Sequence, residues 1–322
     1  MKLLSKLKRL LFEAWMLKNY SALGQEEIPK SEIVVMLHSE RLHGGLVDRL
    51  KGIISSYAIA KELGYTFKIC INEQKFLLSK YLKPVSGITY CTKQSLNRSF
   101  WNARPIYLYN FFHYRRKHLL HIFRGSKKQF HVFTNVDYLP VLNPARQQGE
   151  NQEKWRNLFF ELFHFAKDFE IYFKKLFDLA SPVIGIHLRF HSLLGDFEEV
   201  NIISIPDEAQ ALLIGNCLQT IRQLIAENTG SQFLIVSDSK RFLNMLQNEN
   251  IQHSKKLVIL DGTIAHLDVD HREEVLEKTL LDFFLLHKCQ QVYQVLGPKM
   301  HNSQFSKYAA ALGGGKYILK RI

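Results

Sequence analysis

Long apolar runs are missing from these 322 residues. No stretch approaches the roughly 18 uninterrupted apolar residues of a membrane-spanning helix, so none is expected. Cysteine is scarce: Cys70, Cys91, Cys217 and Cys289 lie far apart, with no CxxC pair. That excludes a disulfide scaffold and a cysteine zinc site, and it fits a reducing compartment. Neither a GxGxxG fingerprint nor a Walker loop occurs, and there is no internal repeat or low-complexity tract. Acidic residues are outnumbered, with 30 Asp+Glu against 43 Lys+Arg for a net charge of +13. A surface that basic favours polyanions: nucleic acid, an anionic membrane, a nucleotide or an acidic glycan. What is present is a globular composition, 46% hydrophobic and 23% charged. The length suggests about two domains.

The N-terminal segment carries Lys2, Lys6, Lys8, Arg9 and Lys18 against Glu13. Leu3, Leu4, Leu7, Leu10, Leu11, Trp15 and Met16 recur at helical spacing, so residues 1–23 read as a basic amphipathic helix. Recurrent lysines and Glu13 leave no clean apolar stretch for a secretory signal. Two readings stand for residues 1–20: a helix lying on an anionic membrane surface, or a helix packed on the domain with its lysines in water. Residues 21–31 read as a linker.

Ile33 to Leu37 reads as a buried parallel strand, Leu46 to Leu63 as a helix ending at Gly64, and Phe67 to Ile71 as the next strand. This βαβ opening predicts an α/β sheet with ligands at the strands' C-terminal ends. Phe111 to Phe130 mixes aromatics with Arg115, Arg116, Lys117, Arg124, Lys127 and Lys128, either a nucleic-acid surface or a solvated basic face. Trp155 to Leu179 reads as one long amphipathic helix. A second α/β unit follows, with strands at Val183–Phe190, Phe233–Val236, Leu257–Leu260, Val292–Val295 and Tyr317–Leu319. Its helices are placed at Glu208–Glu227, after Ser239, at Glu273–Lys288 and at Ser303–Leu312. The expected organisation is two α/β units, at residues 31–180 and 181–322, with a ligand between them.

The polar residues cluster at predicted strand ends. In Gly185-Ile-His-Leu-Arg-Phe190, strand alternation puts His187 and Arg189 on one face. An inward Arg at a strand's C-terminal end needs an anion, either a phosphate matched to its planar fork or a structural carboxylate. Gly44-Gly45 precedes a helix after a strand, suited to a phosphate or to a tight turn, with Asp48 and Arg49 on the helix's first turn. Ser237, Asp238 and Ser239 end a strand and start a helix, where capping is an equally good use for them. Asp282 interrupts an apolar helix, and a buried carboxylate is costly without a partner or a ligand. Ser303, Gln304, Phe305 and Ser306 lie at a helix start suited to phosphate. Fourteen histidines invite a metal reading. Yet His187 and His191, or His266 to His271 with Asp268 and Asp270, lack ligand spacing, so no metal is expected.

Taken in order, four blocks resemble the fucosyltransferase superfamily, which includes bacterial α1,2- and α1,6-fucosyltransferases, plant cell-wall relatives and protein O-fucosyltransferases. They are Gly44-Gly-Leu-Val-Asp-Arg49 with the helix after it, Gly185-Ile-His-Leu-Arg189, Ile235-Val-Ser-Asp238, and Thr279 to Cys289 continuing through Ser303–Ser306 to Gly313. The resemblance implies a GT-B-like enzyme with two Rossmann-like domains facing a central cleft, the N-terminal one on the acceptor side and the C-terminal one on the donor side. It also implies a GDP-fucose donor, no metal or other cofactor, and inversion at the anomeric carbon.

Carried onto this chain, Arg189 holds the β-phosphate, and His187 and Asp282 contact ribose or guanine. Ser303–Ser306 cradle the pyrophosphate, and Gly44-Gly45 closes over it. Many members carry HxRR, whereas Phe190 stands here in place of the second Arg. Asp48 stands where Asn is common. Among Asp196, Glu198 and Glu199 in the loop after HxR, Glu198 is the candidate general base, with Asp48 as another. The expected partners are a GDP-sugar, a glycan acceptor, free or lipid-linked, and an anionic membrane met through residues 1–20. The expected setting is the cytoplasm, peripheral on the inner face of the membrane, in surface polysaccharide or lipopolysaccharide synthesis. Another nucleotide sugar, a nucleic-acid-binding protein using the Arg115–Lys128 patch, and a member that binds GDP without catalysis are the alternatives.

Overall fold

Glu32–Met36 forms β1, every residue of it buried, which suits a central parallel strand covered on both faces. The computed structural model describes residues 10–11, 14, 18–20, 29–37, 44–71, 78–108, 114–124, 128–178, 180–197, 204–248, 257–265, 270 and 272–322. The membrane-helix reading rests on Lys2, Lys6, Lys8, Arg9 and their neighbours, which lie outside the described residues. So do Glu198, Glu199 and, at 266–269 and 271, most of the His–Asp stretch set aside as a metal site.

The chain separates into two units: residues 1–44, 48–73 and 84–163, and residues 45–47, 74–83 and 164–322. In the first, α1 (Leu46–Leu63) follows β1 over the predicted range. Its Leu50, Ile53, Ile54 and Ala58 are buried, the apolar stripe that set the period. Then come β2 (Thr66–Cys70), α2 (Leu78–Tyr81) and β3 (Leu82–Pro84), of which residues 78–83 belong to the second unit, followed by β4 (Thr89–Cys91), β5 (Ala103–Leu108), α3 (Arg116–His121), β6 (Gln129–Thr134) and α4 (Leu139–Leu142). The sheet is parallel in the order β4-β2-β1-β6-β5. Of the predicted basic–aromatic surface, Arg115, Arg116, Lys117 and Arg124 are exposed, whereas Phe123 and Phe130 belong to the core. Those two rings offer no stacking platform for bases. Arg116 pairs with Glu62 at 2.6 Å.

The long helix expected at Trp155–Leu179 is broken. It is replaced by α5 (Gln148–Leu162), β7 (Phe163–Phe165) and α6 (Lys167–Leu176). The apolar spacing runs on through the break, but β7 pairs with β3, a contact distant in sequence. Phe159 and Phe163 pack together at 5.4 Å, whereas Phe165 and Phe169 pack on Phe284, at 5.1 and 5.9 Å. The unit boundary therefore falls at 163/164, ahead of the expected 180/181.

In the second unit β8 (Val183–Leu188), α7 (Asp207–Glu227), β9 (Gln232–Ser237), α8 (Lys240–Asn248), β10 (Leu257–Ile259), α9 (Glu273–Leu286), β11 (Gln291–Leu296), α10 (Phe305–Gly313) and β12 (Lys316–Arg321) follow the predicted sequence of elements. The helix expected from Ser303 begins at Phe305. The parallel order is β10-β9-β8-β11-β12, the doubly wound pattern whose direction of winding reverses between β8 and β11. Among the described residues no helix is long and apolar enough to cross a membrane.

Candidate active site

The winding reversal is where a doubly wound sheet opens a crevice at the strands' C-terminal ends. His187 on β8 and Gln294 on β11 face each other there in register. His187 is buried, its Nδ1 is 3.1 Å from the Ser306 hydroxyl, and its ring stacks on Phe305 at 5.4 Å. Burial, with Arg189 and His301 nearby, pushes its pKa down to about 3, so the imidazole is neutral at physiological pH. The Gln294 amide clasps the backbone of Ser303, its oxygen toward the N–H and its nitrogen toward the carbonyl, both at 2.9 Å. The Ser303 hydroxyl accepts the N–H of Phe305 at 3.1 Å. The loop ahead of α10 is thus tied to the middle of the sheet, with Gln304 exposed at the helix's N-terminus.

Arg189 lies one residue past β8. Its Nε is 3.3 Å from Asp238 Oδ2, and its guanidinium lies 4.5 Å from the centre of the Phe197 ring. Its backbone carbonyl accepts the His301 N–H at 3.1 Å. The side chain keeps 19% of its surface exposed, so the cation is fixed in direction yet open to a ligand. Asp238 also accepts the N–H groups of Phe190 and His191, at 2.8 and 2.7 Å. Burial pushes its pKa up to about 6, opposed by Arg189 and these N–H donors. Those two bonds hold His191 at φ +61, a left-handed conformation costing a non-glycine residue roughly 1–3 kcal/mol.

Several expected ligand-binding residues are instead spent on positioning. Asp238 and Ser237 are buried, and the Ser237 hydroxyl accepts the Ser239 N–H at 3.2 Å. Ser306 is fully buried against His187 and cannot line a pyrophosphate. Asp196, considered as a base, accepts the Ser239 hydroxyl and the Arg241 N–H, both at 2.8 Å, and so caps α8. Phe190, at the second Arg position, is fully buried against Phe242 at 5.0 Å, where a guanidinium has no room.

In the first unit, Gly44 has φ +77, and a Cβ there would meet Asp48 Oδ2 at 2.5 Å. Both the conformation and the close approach require glycine. Arg49, expected to face a ligand, is buried and donates its Nε–H to the Gly44 carbonyl at 3.1 Å. Asp48 pairs with Lys51 at 3.1 Å. These side chains brace their own turn, while among the described residues no atom crowds the Cβ position of Gly45.

Asp282 is buried as expected, and its partner is Lys278, one helical turn away at 2.5 Å. Burial raises the Asp282 pKa, opposed by that ammonium. Sequence reasoning missed Phe197, His301, Gln294 and Lys278. Of these only Lys278 carried a local signal, the i,i+4 spacing to Asp282. Among the described residues no group of three or more His, Cys, Asp or Glu could hold a metal ion.

No protein-family model matches the chain, and no curated protein matches it. Solved structures do share its fold. NodZ α-1,6-fucosyltransferase soaked with GDP-fucose aligns at a TM-score of 0.53 and 15% identity, covering 88% of this chain and 93% of that one. The fucosyltransferase NodZ from Bradyrhizobium aligns at 0.52 and 14% identity, covering 88% and 92%. The likeness shows the fold, an α/β architecture with parallel sheets of the GT-B kind.

Proposed function

We propose that this chain is an inverting glycosyltransferase that transfers fucose from GDP-fucose to a glycan acceptor without a metal ion. The observation that carries the reading is Arg189, an oriented and part-exposed cation at the winding reversal of the second sheet, beside the loop that leads into α10. NodZ, which shares the fold, has been crystallised with GDP and soaked with GDP-fucose.

Breaking the bond between the anomeric carbon and the β-phosphate oxygen leaves negative charge on GDP. A fixed guanidinium neutralises that charge in the transition state without reorganising. Asp238 and Phe197 hold it in direction. His187, neutral and pinned by Ser306 and Phe305, shapes the floor of the crevice. The backbone N–H of Gln304 faces the pyrophosphate at the start of α10, while the Ser303 hydroxyl holds the N–H of Phe305. Asp282 accepts an N–H from the guanine. Glu198 takes the proton of the acceptor hydroxyl as it attacks the anomeric carbon. The acceptor belongs to a bacterial surface polysaccharide or lipopolysaccharide, met at the inner face of the cytoplasmic membrane by residues 1–20.

The test is GDP release from GDP-fucose in EDTA, with and without saccharide acceptors. Acceptor-dependent release that Arg189→Ala abolishes supports the reading. Release requiring a divalent cation, or unaffected by that substitution, contradicts it.

A further inference from the structure

The second unit contains a cavity of about 480 Å³ beside the N-terminal half of α9. Its volume is that of a small-molecule site. Tyr81, Phe169 and Tyr172 give it aromatic walls, and Asp261, Glu277 and Lys278 give it charge. Gly262 makes room for the lysine. Its φ is +141, and a Cβ there would stand 3.1 Å from Lys278 Cδ, so the lysine stem runs over bare backbone.

The polar arrangement is incomplete. Lys278 Nζ donates to Asp282 Oδ2 at 2.5 Å, while Asp282 Oδ1 is buried with no hydrogen-bond partner among the described residues. A buried carboxylate oxygen without a donor is costly, and natural structures leave few such atoms unexplained. Burial raises the pKa of the Tyr172 hydroxyl, with Asp282, Glu277 and Asp261 adding to the shift, which puts the Asp282 carboxylate within electrostatic reach of the cavity wall. The next residue, Phe283, packs edge-on against Phe305 at 5.2 Å, and Phe305 stacks on His187. One aromatic chain thus links this helix to the strand end that carries Arg189.

We propose that Lys278 is a specificity-determining residue that reads the nucleobase of the donor together with Asp282. The inference rests on the GDP-sugar reading above and assigns its base selectivity. The pair offers an ammonium donor beside a carboxylate acceptor. Guanine presents the complement, a C6 carbonyl oxygen next to the N1–H, with a further amino group at C2. The other cavity carboxylates favour a base richer in N–H than in carbonyl groups. Lys80, the cavity's second cation, is spent on Glu277 and Glu273, at 3.2 and 3.4 Å. Uracil, with one N–H between two carbonyls, would set an oxygen against those carboxylates. A base with an amino group at C6 would set N–H against Lys278. The aromatic walls supply stacking faces.

Binding is measured by calorimetry with GDP, ADP, UDP, 2,6-diaminopurine riboside diphosphate and inorganic pyrophosphate. The proteins are wild type, Lys278→Met and the charge-neutral double variant Lys278→Met/Asp282→Asn, which keeps the helix free of an unpaired buried charge. Losing a hydrogen bond to a charged group costs about tenfold or more in affinity. Wild type should prefer GDP to the 2,6-diaminopurine analogue by about that factor. The lysine variants should lose that preference while binding pyrophosphate as wild type does, which also reports a folded Arg189 site. Unchanged GDP selectivity in both variants overturns the inference and leaves the GDP-sugar reading intact. Failure of wild type to bind GDP overturns the GDP-sugar reading itself.

Discussion

Both units set polar residues into the middle of a parallel sheet, and they do so at opposite ends of their strands. In the first, Glu32 and Gln129 pair in register at the start of β1 and β6. Gln129 donates to Glu32, His131 bonds Gln129, Tyr20 bonds His131, and Lys68 pairs with Glu32 at 2.9 Å. The Asn97 N–H completes the set at 2.8 Å from Gln129 Oε1. Every member finds its partner within the chain. In the second unit, His187 and Gln294 pair toward the C-terminal ends, and the neighbouring Arg189 keeps part of its surface for solvent. A closed network stabilises its fold. A part-open one, at the end where such sheets bind ligands, is built to receive something.

The comparison breaks most readily at its two extremes. On the proposed function, Arg189→Ala should lower fucosyl transfer by about 100- to 1,000-fold, the scale of losing one charge-stabilising group, with little change in melting temperature. Gln129→Leu should do the reverse. It takes one partner each from Glu32 and His131, which keep Lys68 and Tyr20, and removes the acceptor of the Asn97 N–H, costing about 3 kcal/mol in denaturant unfolding, while transfer per folded molecule holds. Loss of transfer in the second variant would erase the distinction.

Asp238→Asn sharpens the contrast within the second site. It removes the anchor of Arg189 and turns an N–H donor toward one of two backbone N–H groups, so transfer should fall about tenfold. Steady-state kinetics check this, and unchanged kcat/KM would show that the anchor is dispensable.

The pH dependence of unfolding separates two buried titrating groups of the second site, His187 and Asp238. His187 has its pKa depressed in the fold from 6.5 to about 3, so its contribution is present above pH 6.5 and is lost as pH falls below it. Asp238 is raised to about 6, so its contribution is full below pH 3.8 and is lost as pH rises through 6. Between those values the slopes oppose each other. His187→Asn should therefore flatten the loss on the acid side, and denaturant melts across pH 4 to 7 read it. The smallest effect belongs to Asp196→Asn, which weakens the cap of α8 by about 1 kcal/mol and leaves transfer intact, as expected of a cap and not of a base.

Much of the fold was legible because its signals are local. The stripe of α1 and the all-apolar β1 fix their own structure, and His187 and Arg189 were found from alternation along β8 alone. The break at Phe163–Phe165 was not legible. Its cause is pairing with Leu82–Pro84, and no glycine or proline marks it. In the site, residue types identified the cluster, but they could not separate ligand-facing groups from braces. Ser306 and Arg49 have side chains suited to a phosphate and Asp238 one suited to a hydroxyl or N–H group, and contacts distant in sequence assign Asp238 and Ser306 to positioning. Gln294 had no local signal, because its partners Ser303 and His187 come from another loop and another strand.

The most direct measurement is calorimetric binding of GDP in EDTA to wild type, Arg189→Ala and Gln129→Leu. The account predicts binding to wild type and to Gln129→Leu, and none to Arg189→Ala. Binding that survives loss of Arg189, or that disappears with Gln129 in a folded protein, would contradict it.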